Sequence, residues 1–112
     1  MPFRQGDKPS LIVPKRLLGT FRNDLRGLGY VQHQTFRMTR ENETMAWTKP
    51  IGRGRQVHVQ EEPEDGSILV FAHTEPEGTG IRHMISALFD HANFSAGSRV
   101  LRADLRSMGW DV

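Results

Sequence analysis

The chain of 112 residues contains no cysteine. Disulfide bonds, zinc–thiolate centres and thiol catalysis are therefore excluded, and the absence is compatible with a reducing compartment. No run of apolar residues reaches the length of a transmembrane helix, and the first segment lacks the apolar stretch of a secretory signal. These absences predict a cytoplasmic protein without a membrane partner.

The common catalytic motifs are missing as well. The sequence has no HExxH, no Walker loop, no G-x-S-x-G and no pair of acidic residues at metal-ligand spacing. His83 and His91 lie on one predicted helix, but about 12 Å apart along its axis, which is too far to bind one metal ion. We therefore expect no metal and no cofactor, and a non-catalytic protein is favoured over an enzyme.

Lysine is scarce, with three residues against twelve arginines, and the charge is divided unevenly. Residues 1–56 carry eleven basic and four acidic side chains, a net charge of +7. Residues 57–112 carry four basic and nine acidic side chains, a net charge of −5. The arginine side chain presents a fork of donors that suits phosphates and carboxylates, so the first half favours a nucleic acid or an acidic protein as partner. The alternative is that these arginines are only solvated surface residues.

Hydrophobic periodicity predicts three helices. The first spans residues 14–28 and ends at Gly29, where a left-handed cap is expected. A second apolar stripe occupies residues 81–89. The third helix follows a possible cap at Ser95 or Ser98 and ends at Gly109.

Four segments have the composition of strands: VQHQTFRMTR, TMAWTK, QVHVQE and SILVFAHT. The last two flank EEPEDG, which is typical of a tight hairpin turn. The element order α-β-β-β-β-α-α predicts an α+β fold, a four-stranded antiparallel meander with three helices packed on one face. Residues 1–13 are interpreted as a partly ordered tail and residues 14–112 as a single domain.

The chain contains two similar ten-residue segments, FRNDLRGLGY at residues 21–30 and LRADLRSMGW at residues 101–110. Each segment is called a repeated phrase below. On a helix, Arg22 and Arg26 lie one turn apart on the same face, and so do Arg102 and Arg106. These two pairs are called the arginine rows. Two such rows predict contacts on either side of a phosphate backbone. The alternative is two amphipathic helices that end in the same way, with basic last turns, a glycine cap and an aromatic residue.

The leading hypothesis is a small binding module for RNA or DNA. Its candidate contacts are the two arginine rows and the glycine-containing loop KPIGRGR, namely Arg22, Arg26, Lys49, Arg53, Arg55, Arg102 and Arg106. The alternative is a protein-interaction module, an accessory or inhibitor of a larger assembly or a homo-oligomer, with Trp47 and Trp110 as anchors.

A second alternative comes from the segments GYVQHQTFR and VLRADLRSMG. Their pattern, a helix ending in Gly-aromatic, an H-x-x-F strand and a closing helix, resembles the HicA-type RNA-cleaving toxins, which are small domains with a double-stranded-RNA-binding-like fold. The resemblance implies that His33 acts as a catalytic base while the arginine rows hold RNA.

Two further histidines lie on the strands of the predicted hairpin. If the hairpin closes with Glu62 opposite Ser67, His58 faces Phe71 and lies diagonally from His73 on one face of the sheet. A slip of one residue would move His58 to the other face. This pattern is typical of a polar surface pair more often than of an acid–base pair.

Overall fold

The computed structural model describes residues 8–34, 45–77 and 94–112, which form one antiparallel sheet with two α-helices. The strands are β1 (Leu11–Pro14), β2 (Val31–Gln34), β3 (Met45–Gly52), β4 (Arg55–Glu64) and β5 (Ser67–Pro76). The helices are α1 (Leu18–Gly27), which follows a 3₁₀ turn over Lys15–Leu17, and α2 (Phe94–Ser107). The strands lie side by side in the order β1-β5-β4-β3-β2.

The α+β class is confirmed, but the four-stranded meander with three helices is wrong. Within the described ranges the sheet has five strands and the helices number two, so the element order is β-α-β-β-β-β-α. The apolar stripe over residues 81–89, predicted to be the second helix, lies outside the described residues.

The additional strand is β1, in the segment interpreted above as a tail. It pairs with β5 at the edge of the sheet, with Leu11 opposite Val70 and Val13 opposite Ile68. Pro14 ends the strand, where its missing N–H removes no inner hydrogen bond. A four-residue strand whose partner is more than fifty residues away leaves only a weak local pattern, because its stability comes from the distant partner.

The hairpin between β4 and β5 forms as predicted, but with a tighter turn. Glu64, not Glu62, lies opposite Ser67, and Asp65 and Gly66 make the two-residue turn, in which Gly66 has a φ of 71°. The register therefore moves by two residues, which keeps every side chain on its predicted face. It also places His58 directly opposite His73.

Both helices pack on one face of the sheet, here called the helix face. The core between them contains side chains with no or almost no solvent exposure, including Phe21, Leu25, Trp47, Val57, Val59, Val70, Leu101 and Leu105. Helix α2 lies so close to β5 that a Cβ atom added at Gly97 would collide with the backbone of His73. Neither described helix has the length and hydrophobicity needed to cross a membrane.

Candidate functional site

The two repeated phrases form the ends of α1 and α2, and each is hydrogen-bonded to the other. Tyr30 Oη donates to Asp104 Oδ2 at 2.8 Å, and Trp110 Nε1 donates to Asp24 Oδ2 at 2.7 Å. The aromatic residue that closes one phrase therefore binds the aspartate in the middle of the other. The glycines that precede these aromatic residues have φ angles of 95° and 98°, so both helices end with the same left-handed cap.

This reciprocal contact decides where the arginine rows lie. Arg22 and Arg26 are each two residues from Asp24, about 200° around a helix of 3.6 residues per turn. The arginines of the second phrase have the same spacing from Asp104. Because each aspartate faces the other phrase, the arginines project from the far side of each helix. The two rows therefore do not line a groove between the helices.

Three of the predicted basic contacts are held by the fold itself. Arg22 donates to the buried carboxylate of Glu61, with an Nη2–Oε1 distance of 2.6 Å. Arg102 donates through two nitrogens to the carbonyl oxygen of Ser10. Lys49 Nζ binds Asp104 Oδ2 at 2.9 Å. These groups stabilise packing and have fewer donors left for a ligand.

The other predicted basic residues are more accessible. Arg26 is exposed, binds the side chains of Asn23 and Gln32, and lies over the ring of Trp47, 5.5 Å from its centroid. The exposed Arg53 occupies the β3–β4 turn with a φ of 57°, and Arg55, which follows, contacts Thr74 Oγ1 at 3.4 Å.

Arg106 and Arg102 instead belong to a groove along the outer side of α2. The groove has a volume of about 590 Å³ and is lined by Lys8, Pro9, Ser95, Ser98, Arg99, Arg102 and Arg106. Four of these seven residues are basic and none is acidic. Arg99 extends the arginine row of α2 in the sequence, but nothing local indicates that Lys8 lies beside it. We call these residues the basic groove.

The two tryptophans occupy different environments. Trp47 has no solvent exposure, and its Nε1 donates to Glu61 Oε2 at 2.9 Å. Trp110 is half-buried and packs edge-on against Phe21, with 5.8 Å between ring centroids. A partner would therefore reach Trp47 only after the core opens, whereas part of Trp110 is accessible.

His33 lies on the exposed edge strand β2. Its Nε2 is 2.8 Å from Thr48 Oγ1, and Thr48 is the cross-strand neighbour of His58. Because residues paired across neighbouring strands project to the same side, all three lie on the face of the sheet opposite the two described helices. This side of the sheet is here called the histidine face.

His58 and His73 meet on the histidine face together with Glu75. The two imidazole rings are 5.0 Å apart between centroids and inclined by 70°. Glu75 Oε1 is 2.6 Å from His73 Nε2 and 3.4 Å from His58 Nδ1. His73 is fully buried, Glu75 is 8 % exposed, and His58 is partly accessible. The hairpin register thus assembles a nearly buried His–His–Glu cluster.

The Glu75 carboxylate is held in its ionised form. Burial by itself would raise the pKa of Glu75, but hydrogen bonds from His58 and His73, the charge of His58 and a bond from Gln56 together hold that pKa well below its usual range. Gln56 Nε2 donates to Glu75 Oε2 at 2.7 Å, so the second carboxylate oxygen is fixed while Oε1 faces the imidazoles.

Sequence reasoning considered both histidines but missed Glu75. Residues two apart on a strand share a face, so Glu75 must project on the same side as His73. The Asp65–Gly66 turn, a strong two-residue hairpin signal, would have placed His58 opposite His73. Applied together, these two local rules identify the cluster.

The hydrogen bond between Tyr30 and Asp104 provides a test of the contact between the ends of α1 and α2. Burial raises the pKa of Tyr30 far above its ordinary value of 10, and the hydrogen bond to Asp104 and the charge of Asp104 raise it further. Tyr30 is the single tyrosine of the chain, so tyrosinate absorbance reports it alone. We expect no phenolate near pH 10 in the folded protein, only a later appearance as the chain unfolds.

The sign of the pH effect follows from that raised pKa. The folded chain holds the phenolic proton more tightly than the unfolded chain, so the stability that Tyr30 contributes is complete below about pH 10 and is lost as the pH rises. Asp104→Asn keeps an acceptor but removes the negative charge and should bring the titration closer to pH 10. A normal titration in the wild-type protein would contradict the buried contact.

No known protein family, no curated protein and no solved structure matches this chain in comparisons of sequence and fold.

Proposed function

We propose that this protein binds nucleic acid, and that the basic groove is its main contact with the phosphate backbone. The observation that carries the proposal is the groove lining, four basic side chains and no acidic one among the described residues. Arginine forks and lysine ammonium groups suit phosphate oxygens. The hydroxyl group of the exposed Ser95 adds a neutral hydrogen-bond donor, whereas that of Ser98 is hydrogen-bonded to Ser10 Oγ.

The position of the groove beside the start of α2 strengthens the proposal. The first turn of α2 contains no acidic residue, and the N-terminal end of a helix carries a partial positive charge. This dipole adds to the side-chain charges of Lys8 and Arg99, which are both exposed. A phosphate in the groove would therefore meet positive potential from two independent sources.

The test is fluorescence anisotropy of labelled duplex DNA and of an RNA hairpin between about 50 and 200 mM salt, where phosphate contacts lose much of their affinity. Arg99→Ala/Arg106→Ala should weaken binding to every sequence about equally. The slope of log K against log salt should become shallower by roughly 0.9 for each lost contact with duplex DNA.

A matched control removes the same charge elsewhere. Lys15→Ala/Arg16→Ala takes two exposed cationic side chains from outside the groove, so its net charge equals that of the groove variant. We expect the control to retain most of the binding. Equal loss in both variants would indicate unspecific attraction to charge, and no binding by the wild-type protein at low salt would refute the proposal.

Protein interaction through Trp110 and RNA cleavage by His33 remain separate predictions. Shortening of the RNA probe during the same assay would favour cleavage, and it should then stop in His33→Ala.

A further inference from the structure

We propose that His58, His73 and Glu75 form a binding site for one zinc ion on the histidine face of the sheet. The potential ligand atoms of these three residues all lie within 4.8 Å of one another. Two histidines and one carboxylate are a ligand set that zinc takes in proteins. The site is independent of the basic groove, which lies along α2.

The hairpin register brings the three ligands together. His58 is the direct cross-strand partner of His73, and Glu75 follows His73 by two residues on the same strand and the same face. All three side chains come from the two strands β4 and β5, which are joined by a two-residue turn. The framework of the site is therefore a rigid hairpin within the sheet.

The two separations between Glu75 and the histidines need little change to fit a tetrahedral ion, and the ligand atoms of the two histidines lie within 4.8 Å of each other. With zinc–nitrogen and zinc–oxygen bonds of about 2.0–2.1 Å, neighbouring ligand atoms are roughly 3.4 Å apart. His58 Nδ1 and Glu75 Oε1 already have a separation of 3.4 Å. His73 Nε2 and Glu75 Oε1 are 2.6 Å apart and would separate by less than about 1 Å, which small side-chain rotations provide.

Gln56 forms a hydrogen bond to a proposed zinc ligand, as residues around metal sites usually do. Its amide donates to Glu75 Oε2 at 2.7 Å, which orients the carboxylate so that Oε1 points to the imidazoles. Outer hydrogen-bond partners of this kind fix the ligand and raise metal affinity. Burial also favours the metal, since the ion would neutralise a carboxylate that is 8 % exposed.

The competing explanation is a hydrogen-bonded cluster that needs no metal, and zinc binding separates the two. Isothermal titration of the metal-free full chain with zinc chloride should give one zinc per chain. His58→Gln and Glu75→Gln should each weaken binding at least about tenfold, because each removes a ligand, and Gln56→Ala should weaken it by roughly 10- to 100-fold. Bound Co²⁺ should show the intense visible absorption of a tetrahedral site, and His58→Gln should change that spectrum.

His33→Ala is the matched control, because His33 is an exposed histidine on the same face that contacts Thr48 and is no ligand. Its zinc affinity and Co²⁺ spectrum should equal those of the wild-type protein. Circular dichroism establishes that each variant is folded, and the partly exposed His58 gives a variant that should fold even if Glu75→Gln does not. Absence of zinc binding, or binding that His58→Gln leaves unchanged, would overturn the proposal.

Discussion

Gly97→Ala should lower the free energy of unfolding by about 2–3 kcal/mol, the cost of forcing an added methyl group into a packed interface. The added Cβ would overlap the backbone nitrogen and α-carbon of His73, and neither atom can rotate away. The helix must therefore move off β5, which opens the contacts that Leu101 and Leu105 make in the core. Urea unfolding followed by circular dichroism measures the loss.

The matched control is the same substitution where there is space. Gly19 lies in α1, and an added Cβ would have no atom within 4 Å. Gly19→Ala should therefore raise stability by roughly 0.5–1 kcal/mol, because alanine loses less backbone entropy in a helix than glycine. Opposite signs for the two variants would support the close approach of α2 to β5. A neutral Gly97→Ala variant would contradict it.

Arg22→Ala should cost about 2–3 kcal/mol of stability, although the residue lies in a row that the sequence presents as a surface feature. Glu61 has only 2 % of its side chain exposed, and Arg22 is its only cationic contact among the described residues. Removing one partner of a buried ion pair typically costs 3–5 kcal/mol. Arg22 retains 31 % exposure, so solvent reduces that figure.

A second substitution tests whether the uncompensated charge is the cause. In Arg22→Ala/Glu61→Gln no charge is buried at position 61, and the amide oxygen of glutamine still accepts the hydrogen bond from Trp47 Nε1. The double variant should recover about 1 kcal/mol or more relative to Arg22→Ala. If it is no more stable than Arg22→Ala, packing of the arginine chain explains the loss instead.

Arg26→Ala is the control within the same row. Its guanidinium group is exposed and binds the side chains of Asn23 and Gln32, and such surface contacts contribute little. We expect a change within roughly 0.5 kcal/mol. Comparing the two variants distinguishes Arg22, which stabilises the core, from Arg26, which is exposed to a ligand. The repeated phrase alone does not distinguish these two roles.

Prediction from sequence succeeded where the signal is local. Apolar spacing of 3.6 residues identified α1 and α2, and the glycine caps located both helix ends. The Asp65–Gly66 pair identified the hairpin, although its register was placed two residues away. The strand around Leu11 and Val13 was not predicted, because four residues paired with a strand far along the chain carry too few local constraints.

The candidate sites depended more on distant contacts. Arg102 was predicted to contact the phosphate backbone of a nucleic acid. In the structure it donates instead to the carbonyl oxygen of Ser10, which lies 92 residues earlier. Lys8 joins the basic groove for the same reason, since it precedes β1 and β1 docks beside β5. Glu75 reaches His58 only through the hairpin register. In each case the partner of a polar side chain is set by strand order and helix placement.

The α+β class, the charge asymmetry, the helix ends and the absence of thiol chemistry could be predicted from the sequence, because each depends on residue type or on spacing within a few residues. The direction in which each arginine row points depends instead on contacts between the two helices. FRNDLRGLGY and LRADLRSMGW bind each other through Asp24 and Asp104, which places the two arginine rows on the sides of the helices that face away from each other. The pairing of β4 with β5 likewise brings His58, His73 and Glu75 together. A buried charge such as that of Glu75 is stabilised by the groups that the fold places within hydrogen-bond reach, and residue spacing alone does not specify those groups.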